Sequence, residues 1–410
     1  MPRLSSQPTP RLTNLPGWLT LLGGLIAIGP LSIDMYLPAF PAMASEFAHQ
    51  PGRPEYTLAS YFVGMAIGQL VYGPISDRFG RKPPLYVGLL LYSLASLGGA
   101  LAGDLISLAT WRFIQALGGC AGIVITRAVV RDRCDVRDSA RAFSMLMLVM
   151  GIAPILAPLA GGWVVAHLGW RAIFWLLAGF GVICLLAMHF GLAESHDTRH
   201  AQPLNWLRSF RDYLGLLREP AFMGYSLSSG LAMAGFFTYL AGSPHVLIDL
   251  YGIPAKHYGL VFGGNAFGFI AASQLNARLM KTMQPTRVLR RGMRAITLAA
   301  LALAALTAFM PLPPLWLALP LLLVIISSLG FILPNANAAA LATHGQRAGT
   351  ASALIGALQF GLATLAGMAM GVSQSPRLAP MATIMALCIL SGWLVHRWLL
   401  GKGSRHATCD

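Results

Sequence analysis

Apolar stretches of about 20 residues, separated by short polar ones, recur from residue 17 to residue 400 of this 410-residue chain. A helix of that length and character crosses the hydrocarbon core of a bilayer. The pattern predicts twelve such helices, at 17–39, 56–77, 83–103, 105–127, 141–166, 170–192, 219–242, 257–280, 290–311, 314–336, 347–371 and 377–400. The longest polar interval, about 193–218, is rich in His, Arg and Asp and divides the spans six and six. The expected organisation is a tail at 1–16, a six-helix bundle at 17–192, a linker at 193–218, a second bundle at 219–402 and a tail at 403–410. The fold class is therefore all-α integral membrane protein, twelve helices in two six-helix bundles. Ala42-Met43-Ala44 resembles a signal-cleavage site, but the apolar run before it is about 25 residues long. A signal core has only 7–15, so this first helix is expected to stay.

Composition agrees. Hydrophobic residues make up 56% of the chain and charged ones 10%, against about 25% charged in soluble domains. A net charge of +15 could suggest nucleic acid, but the Lys and Arg sit in short loops between apolar runs, where they encode orientation. With both termini in the cytoplasm, Arg78, Arg81, Lys82, Arg131, Arg133, Arg137, Arg199, Arg208, Arg211, Arg218, Arg278, Lys281, Arg287, Arg290, Arg291, Arg397, Lys402 and Arg405 all lie inside. The other face keeps only Arg53, Arg171, Lys256 and Arg377. The expected partners are the lipid bilayer, protons and small molecules, without nucleic acid, and a monomer is expected. Cys120, Cys134, Cys184, Cys388 and Cys409 are scattered without a Cys-x-x-Cys, so neither a metal site nor a disulfide framework is indicated.

Charges inside the membrane narrow the function. Of fourteen acidic residues only Asp34 falls well inside a span, while Asp77, Asp104 and Glu219 sit at ends. Arg112 is the comparably deep base. Both fall roughly 8–12 Å below the outer surface at 1.5 Å per residue, so they could face one another, as an ion pair or as a proton relay. Intramembrane charges are costly and usually mark proton or substrate paths. A membrane carboxylate near an Arg is balanced between burial, which raises its pKa, and the cation, which lowers it. If proton coupling occurs, Asp34 is the natural carrier.

Residues 73–83, Gly-Pro-Ile-Ser-Asp-Arg-Phe-Gly-Arg-Lys-Pro, place Asp77 at the partially negative C-terminal end of a helix, beside Arg78, Gly80, Arg81 and Lys82. An acid there needs a cation or another helix's N-terminus. The segment resembles the signature loop between the second and third helices of the major facilitator superfamily. Arg112-Phe-Ile-Gln115-Ala-Leu-Gly118-Gly119 resembles that superfamily's fourth-helix motif, with Ala116 in place of the usual Gly. Gly151-Ile-Ala-Pro154-Ile-Leu-Ala-Pro158-Leu-Ala-Gly161-Gly162 resembles the fifth-helix motif of proton-driven exporters, with Ala157 where Gly commonly stands. Together with Asp34-Met-Tyr-Leu-Pro-Ala-Phe-Pro41 and the basic run from Arg127 to Arg133, the chain resembles the Bcr/CflA group of bacterial multidrug efflux transporters. The second-half counterpart of the signature loop, Gln274-Leu-Asn276-Ala-Arg278, has lost its acid.

The resemblance implies a proton-coupled exporter of small amphiphilic compounds, bicyclomycin- or chloramphenicol-like, working by alternating access between two halves in the bacterial inner membrane. Proton coupling is then expected at Asp34 and Arg112, and, because Asp77 needs a positive partner, a conformational latch at Asp77, Arg78, Gly80 and Arg81 is expected to meet the free N–H groups of the eleventh helix near Gly345-Gln346-Arg347. The resemblance also implies an antiporter motif at Gly151, Pro154, Pro158, Gly161 and Gly162. Polar and aromatic residues that could line a cavity are Tyr36, Tyr61, Gln115, Phe236, Phe237, Tyr239, Asn265, Asn335, Asn337 and Gln359. Each serves equally well as packing or as a helix–helix hydrogen bond. The alternative is a proton-coupled carrier of one metabolite, such as an amino acid or sugar. An enzyme is not expected, because no metal cluster, Ser-His pair or nucleotide loop appears. No cofactor is expected either, the drive being the proton gradient.

Overall fold

The computed structural model describes residues 17–50, 52–134, 136–196, 206–342, 344, 347–373 and 377–401. The expected tails, Cys409, Lys402, Arg199, residues 197–205 of the linker, Gly345 and Gln346 lie outside them. The described residues form helices α1 (Gly17–Asp34), α2 (Phe40–Glu46), α3 (Pro54–Phe79), α4 (Lys82–Ala100), α5 (Leu105–Arg133), α6 (Val136–Leu168) and α7 (Arg171–Gly191) in the first half. After α8 (Trp206–Leu217) come α9 (Pro220–Pro244), α10 (Ala255–Leu279), α11 (Pro285–Phe309), α12 (Leu315–Leu341), α13 (Ala348–Val372) and α14 (Ala379–Gly401). Eleven of the described segments are long and apolar enough to cross a membrane, the first running from Gly17 to Glu46. The twelfth expected span is α10, 25 residues long. Asn265, Gln274 and Asn276 make it less apolar, yet it packs among the others against α6 and α12.

Local chemistry explains the ends. Pro54 and Pro220 each begin a helix, where the missing N–H costs nothing. Asp104 caps α5 by accepting from the Ser107 N–H at 2.7 Å, satisfying one of the helix's free donors. Gly80 closes α3 at φ +87°, a left-handed conformation that a side chain disfavours. The expected first span at 17–39 is not one continuous helix. It stops at Asp34, passes through a short 3-10 turn at Leu37–Ala39, and resumes as α2. Pro38 and Pro41 remove two backbone donors there.

α1 and α3 to α7 pack as one bundle and α9 to α14 as another. The bundles meet along α3 against α13 and α6 against α10. The expected linker is more than a connector. It contains α8, whose Tyr213 hydroxyl donates to the Leu70 carbonyl of α3 at 3.1 Å and whose Asp212 lies 3.6 Å from Arg347. On the face opposite the basic loops the halves are in contact. Arg53 donates to the Ser373 carbonyl across the seam at 3.3 Å, and the Tyr56 ring lies against Gly371.

Candidate functional site: a polar seam between two helix bundles

Arg112 is fully buried on α5. It does not pair with Asp34 as the matched depths suggested. Its guanidinium carbon sits 4.4 Å from the Tyr36 ring centroid and 4.2 Å from that of Tyr61. Nη1 donates to Gln115 Oε1 at 2.7 Å, and Gln115 in turn donates to the Ser96 hydroxyl at 2.7 Å. Two aromatic faces compensate a desolvated cation by about 2 kcal/mol or more, so the tyrosines take the place of a carboxylate. Tyr36 is itself held by a 2.6 Å hydrogen bond to Thr57. The result ties the α1–α2 break to α3 and α5.

Asp34 is 5% exposed and ends α1 at that break. Among the described residues it has no ion-pair partner. Within electrostatic reach lie the hydroxyls of Tyr61 from its own half and of Tyr239 and Tyr258 from the other. Those two are braced in turn. Asn265 donates to the Tyr239 hydroxyl at 3.0 Å, and Ser243 and Tyr258 share a hydrogen bond of 2.7 Å. The deep acid at the break is thus within electrostatic reach of hydroxyls from both halves. Beside this centre, Phe62, Phe237 and Phe360 form a cluster from α3, α9 and α13, with ring centroids 4.3 to 6.1 Å apart, and Phe236 lies 6.4 Å from Tyr239. The Gln359 amide nitrogen and the Asn337 amide oxygen are buried without a hydrogen-bond partner. Asn335 belongs elsewhere: it donates to Asn276 Oδ1 at 2.7 Å, joining α12 to α10.

The fifth-helix motif lies on α6 along the seam. A Cβ on Gly161 would collide with the Met35 carbonyl at the break, and one on Gly162 with the Ala255 carbonyl at the start of α10. Gly151 faces Ile270 further along α10. Pro154 and Pro158 fall inside the helix between these contacts. Only residues without a side chain let these backbones approach so closely.

The basic face carries an ionic cluster. Arg81 pairs with Asp77 at 2.6 Å and with Asp132 of α5 at 2.7 Å, and donates to the Ser76 hydroxyl at 3.0 Å. Glu194, just after α7, accepts the backbone N–H groups of Arg81 and Lys82 at 2.9 Å each and those of Ser195 and His196. It thereby satisfies free donors at the start of α4. Burial alone would raise the Glu194 carboxyl, but the N–H groups of Lys82, Arg81, His196 and Ser195 outweigh it and hold its pKa below the ordinary value. The expected latch between Asp77 and the start of α13 is not made here. Asp77, its side chain 67% exposed, is held by Arg81, and Arg347 by Asp212.

Sequence reading missed Asp132 and Glu194, because nothing in their local sequence announces a partner 51 or 113 residues away. Arg127, set aside as part of a basic run, is half-buried on α5 with no ion pair among the described residues. It stands at the end of the expected span, and only the continuation of α5 to Arg133 places it inside the helix. Glu55, left just outside the second span, lies in the first turn of α3 and is 8% exposed.

Residues 22–368 match the Major Facilitator Superfamily model. An uncharacterized MFS-type transporter, YdgK, of Bacillus subtilis is 33% identical over 91% of this chain and 93% of its own. A bicyclomycin resistance protein homolog of Haemophilus influenzae is 30% identical over 94% of this chain and 96% of its own. The xylose transporter XylE from E. coli, in a partially occluded inward open conformation, superposes with TM-score 0.72 over 93% of this chain and 96% of its own, at 16% identity. The chain belongs to the Major Facilitator Superfamily: it is a membrane transporter-family protein with antibiotic-resistance homologues, and not an enzyme.

Proposed function

We propose that this superfamily member is a Bcr/CflA-type proton-coupled exporter of small amphiphilic compounds, bicyclomycin- or chloramphenicol-like. The observation that carries the reading is Asp34, the one deep carboxylate, set at a helix break on the seam within electrostatic reach of hydroxyls of the opposite half. Rocking of two halves changes the surroundings of a group on their seam. Loading and release of its proton then follow from water reaching it or leaving it. Phe236, Phe237, Phe360 and the free amide of Gln359 offer adaptable apolar contact and one polar anchor for varied amphiphiles. The drive is the proton gradient, with no cofactor. The protein works as a monomer in the bacterial inner membrane, with both termini and the basic face in the cytoplasm.

In this reading the structure is closed at the outer face by Arg53–Ser373 and by the α6–α10 approach at Gly162. Asp77 and Arg81, with Arg78 and Gly80 beside them, exchange partners for the start of α13 when the outer face opens. The test is drug susceptibility in a pump-deficient strain expressing the protein, with and without a protonophore. A severalfold rise in tolerance that the protonophore removes is expected. Tolerance that survives the protonophore, or accumulation of a single amino acid or sugar in its place, would overturn the reading.

A further inference from the structure

On the face opposite the basic loops, a cavity of about 330 Å³ lies where the two halves meet. Phe47 of the α2–α3 connection and Leu105 of α5 form its apolar wall, and Arg53, Glu55, His245 and Asp249 its polar wall. The last two come from a π-helical turn, His245–Leu250, at the end of α9. The Glu55 carboxyl bends back onto its own backbone N–H, and its Oε2 is buried with no hydrogen-bond partner.

Arg53 and His245 lie within electrostatic reach and favour its charged form, Asp249 opposes it, and each has its own hydrogen-bond partner. Arg53 donates to the Ser373 carbonyl at 3.3 Å. His245 and Asp249 bind one another at 2.9 Å. The Tyr36 hydroxyl shares a 2.6 Å hydrogen bond with Thr57. None of these satisfies Oε2. One backbone N–H on one oxygen does not replace the water that an ionised carboxylate loses on burial, whereas a carboxylic acid is tolerated there. The site therefore matches one very small cationic ligand, the proton.

We infer that Glu55 is a second proton-binding site, at the outer mouth, and that closing the mouth takes up one proton there. Parting of the halves at this face would expose the carboxyl to water and let the proton go. The closed form binds the extra proton, so its population is highest at low pH and falls as pH rises. One linked proton changes the closed-to-open ratio by up to about tenfold per pH unit. The inference rests on alternating access alone, and not on drug export or on Asp34.

The experiment follows mouth distance by spin-label pairs at Leu101→Cys and Leu312→Cys, both exposed and away from the seam. It uses full-length protein in lipid nanodiscs, with the native cysteines replaced, over pH 5 to 8. It is done in an Asp34→Asn background so that the central carboxylate contributes nothing, and it needs no substrate or gradient. The expected result is a pH-dependent closed fraction that Glu55→Gln makes flat and mostly closed, that Glu55→Asp keeps with a shifted midpoint, and that His245→Asn keeps. A flat wild-type profile, an unchanged slope in Glu55→Gln, or loss of the slope in His245→Asn would overturn it. Drug export could fail while this linkage holds, and the converse, so the two readings are separable.

Discussion

Asp34 and Arg112 are buried in the first six-helix half, whereas the second half offers Tyr239, Asn265, Tyr258 and Ser243, all neutral, to the same seam. The contrast repeats at the basic face. There the α3–α4 loop holds Asp77, Arg81, Asp132 and Glu194 in one ionic cluster, and the α10 end uses a single amide pair, Asn276 with Asn335. Two bundles built by the same packing rules have thus been given different electrostatics. Neutral dipoles are cheap to bury and hold fixed geometry. Charges are costly, and their cost changes when water reaches them. At this seam the first half carries the charges and the second presents neutral dipoles to them.

The largest effect should come from removing the charge at the centre. Asp34→Asn is expected to reduce drug–proton exchange in proteoliposomes to background while expression and monodispersity stay normal. Concentrative export at the wild-type rate would end the contrast between halves, because a proton carrier would then have to lie elsewhere. Next comes Arg112. Arg112→Ala strips two tyrosine faces of their cation and should be nearly as harmful. Arg112→Lys keeps charge but loses the planar stack. At about 1 kcal/mol per lost face, transport should drop on the order of fivefold or more, and near-normal activity would mean that charge alone suffices.

A backbone test sharpens the seam itself. Gly162→Val places a side chain where the Ala255 carbonyl approaches, and should hold the outer face apart and slow turnover. Labels across α6 and α10 should lengthen, and an unchanged distance would remove the role assigned to this approach. Smaller effects belong to the basic face. Glu194 has a depressed pKa, so its capping of α4 is complete above the ordinary carboxylate range and is lost as pH falls through the lower, folded value. Protection of the Arg81 and Lys82 amides, taken relative to the intrinsic exchange rate at each pH, should fall on acidification and fall at neutral pH in Glu194→Gln. Equal protection in both would reduce Glu194 to a bystander. The smallest change is expected from Asn276→Ala, which leaves Asn335 with its bond to the Phe331 carbonyl and should cost about 1 kcal/mol of stability without altering pH dependence.

The fold was largely readable beforehand, because long apolar runs in a bilayer can satisfy their backbone only as helices. All twelve expected spans and the six-plus-six division follow from it, although Asn265, Gln274 and Asn276 leave α10 less apolar than the other eleven. The candidate site was half readable. Asp34 and Arg112 stood out as isolated charges, and the signature loop and Gly161-Gly162 as motifs. Their partners did not. Asp34 and Arg112 at equal depth looked like a pair, but depth fixes only one coordinate, and the rotation of α5 turned Arg112 onto Tyr36 and Tyr61.

Hydropathy, loop charge and motif by themselves determined that this chain crosses a membrane many times, that its basic loops share one face and that it resembles drug exporters. Only the tertiary structure decided that the first span breaks at Asp34, that Arg81 is shared between Asp77 and Asp132, that Glu194 caps α4, and that one oxygen of Glu55 is buried at the mouth without a hydrogen-bond partner. The reason is physical. Burial in lipid depends on the sum over a run of residues, which is a local property of the chain. The partner of a charge depends on which helix faces meet, and that is set by packing between segments 50 to more than 100 residues apart.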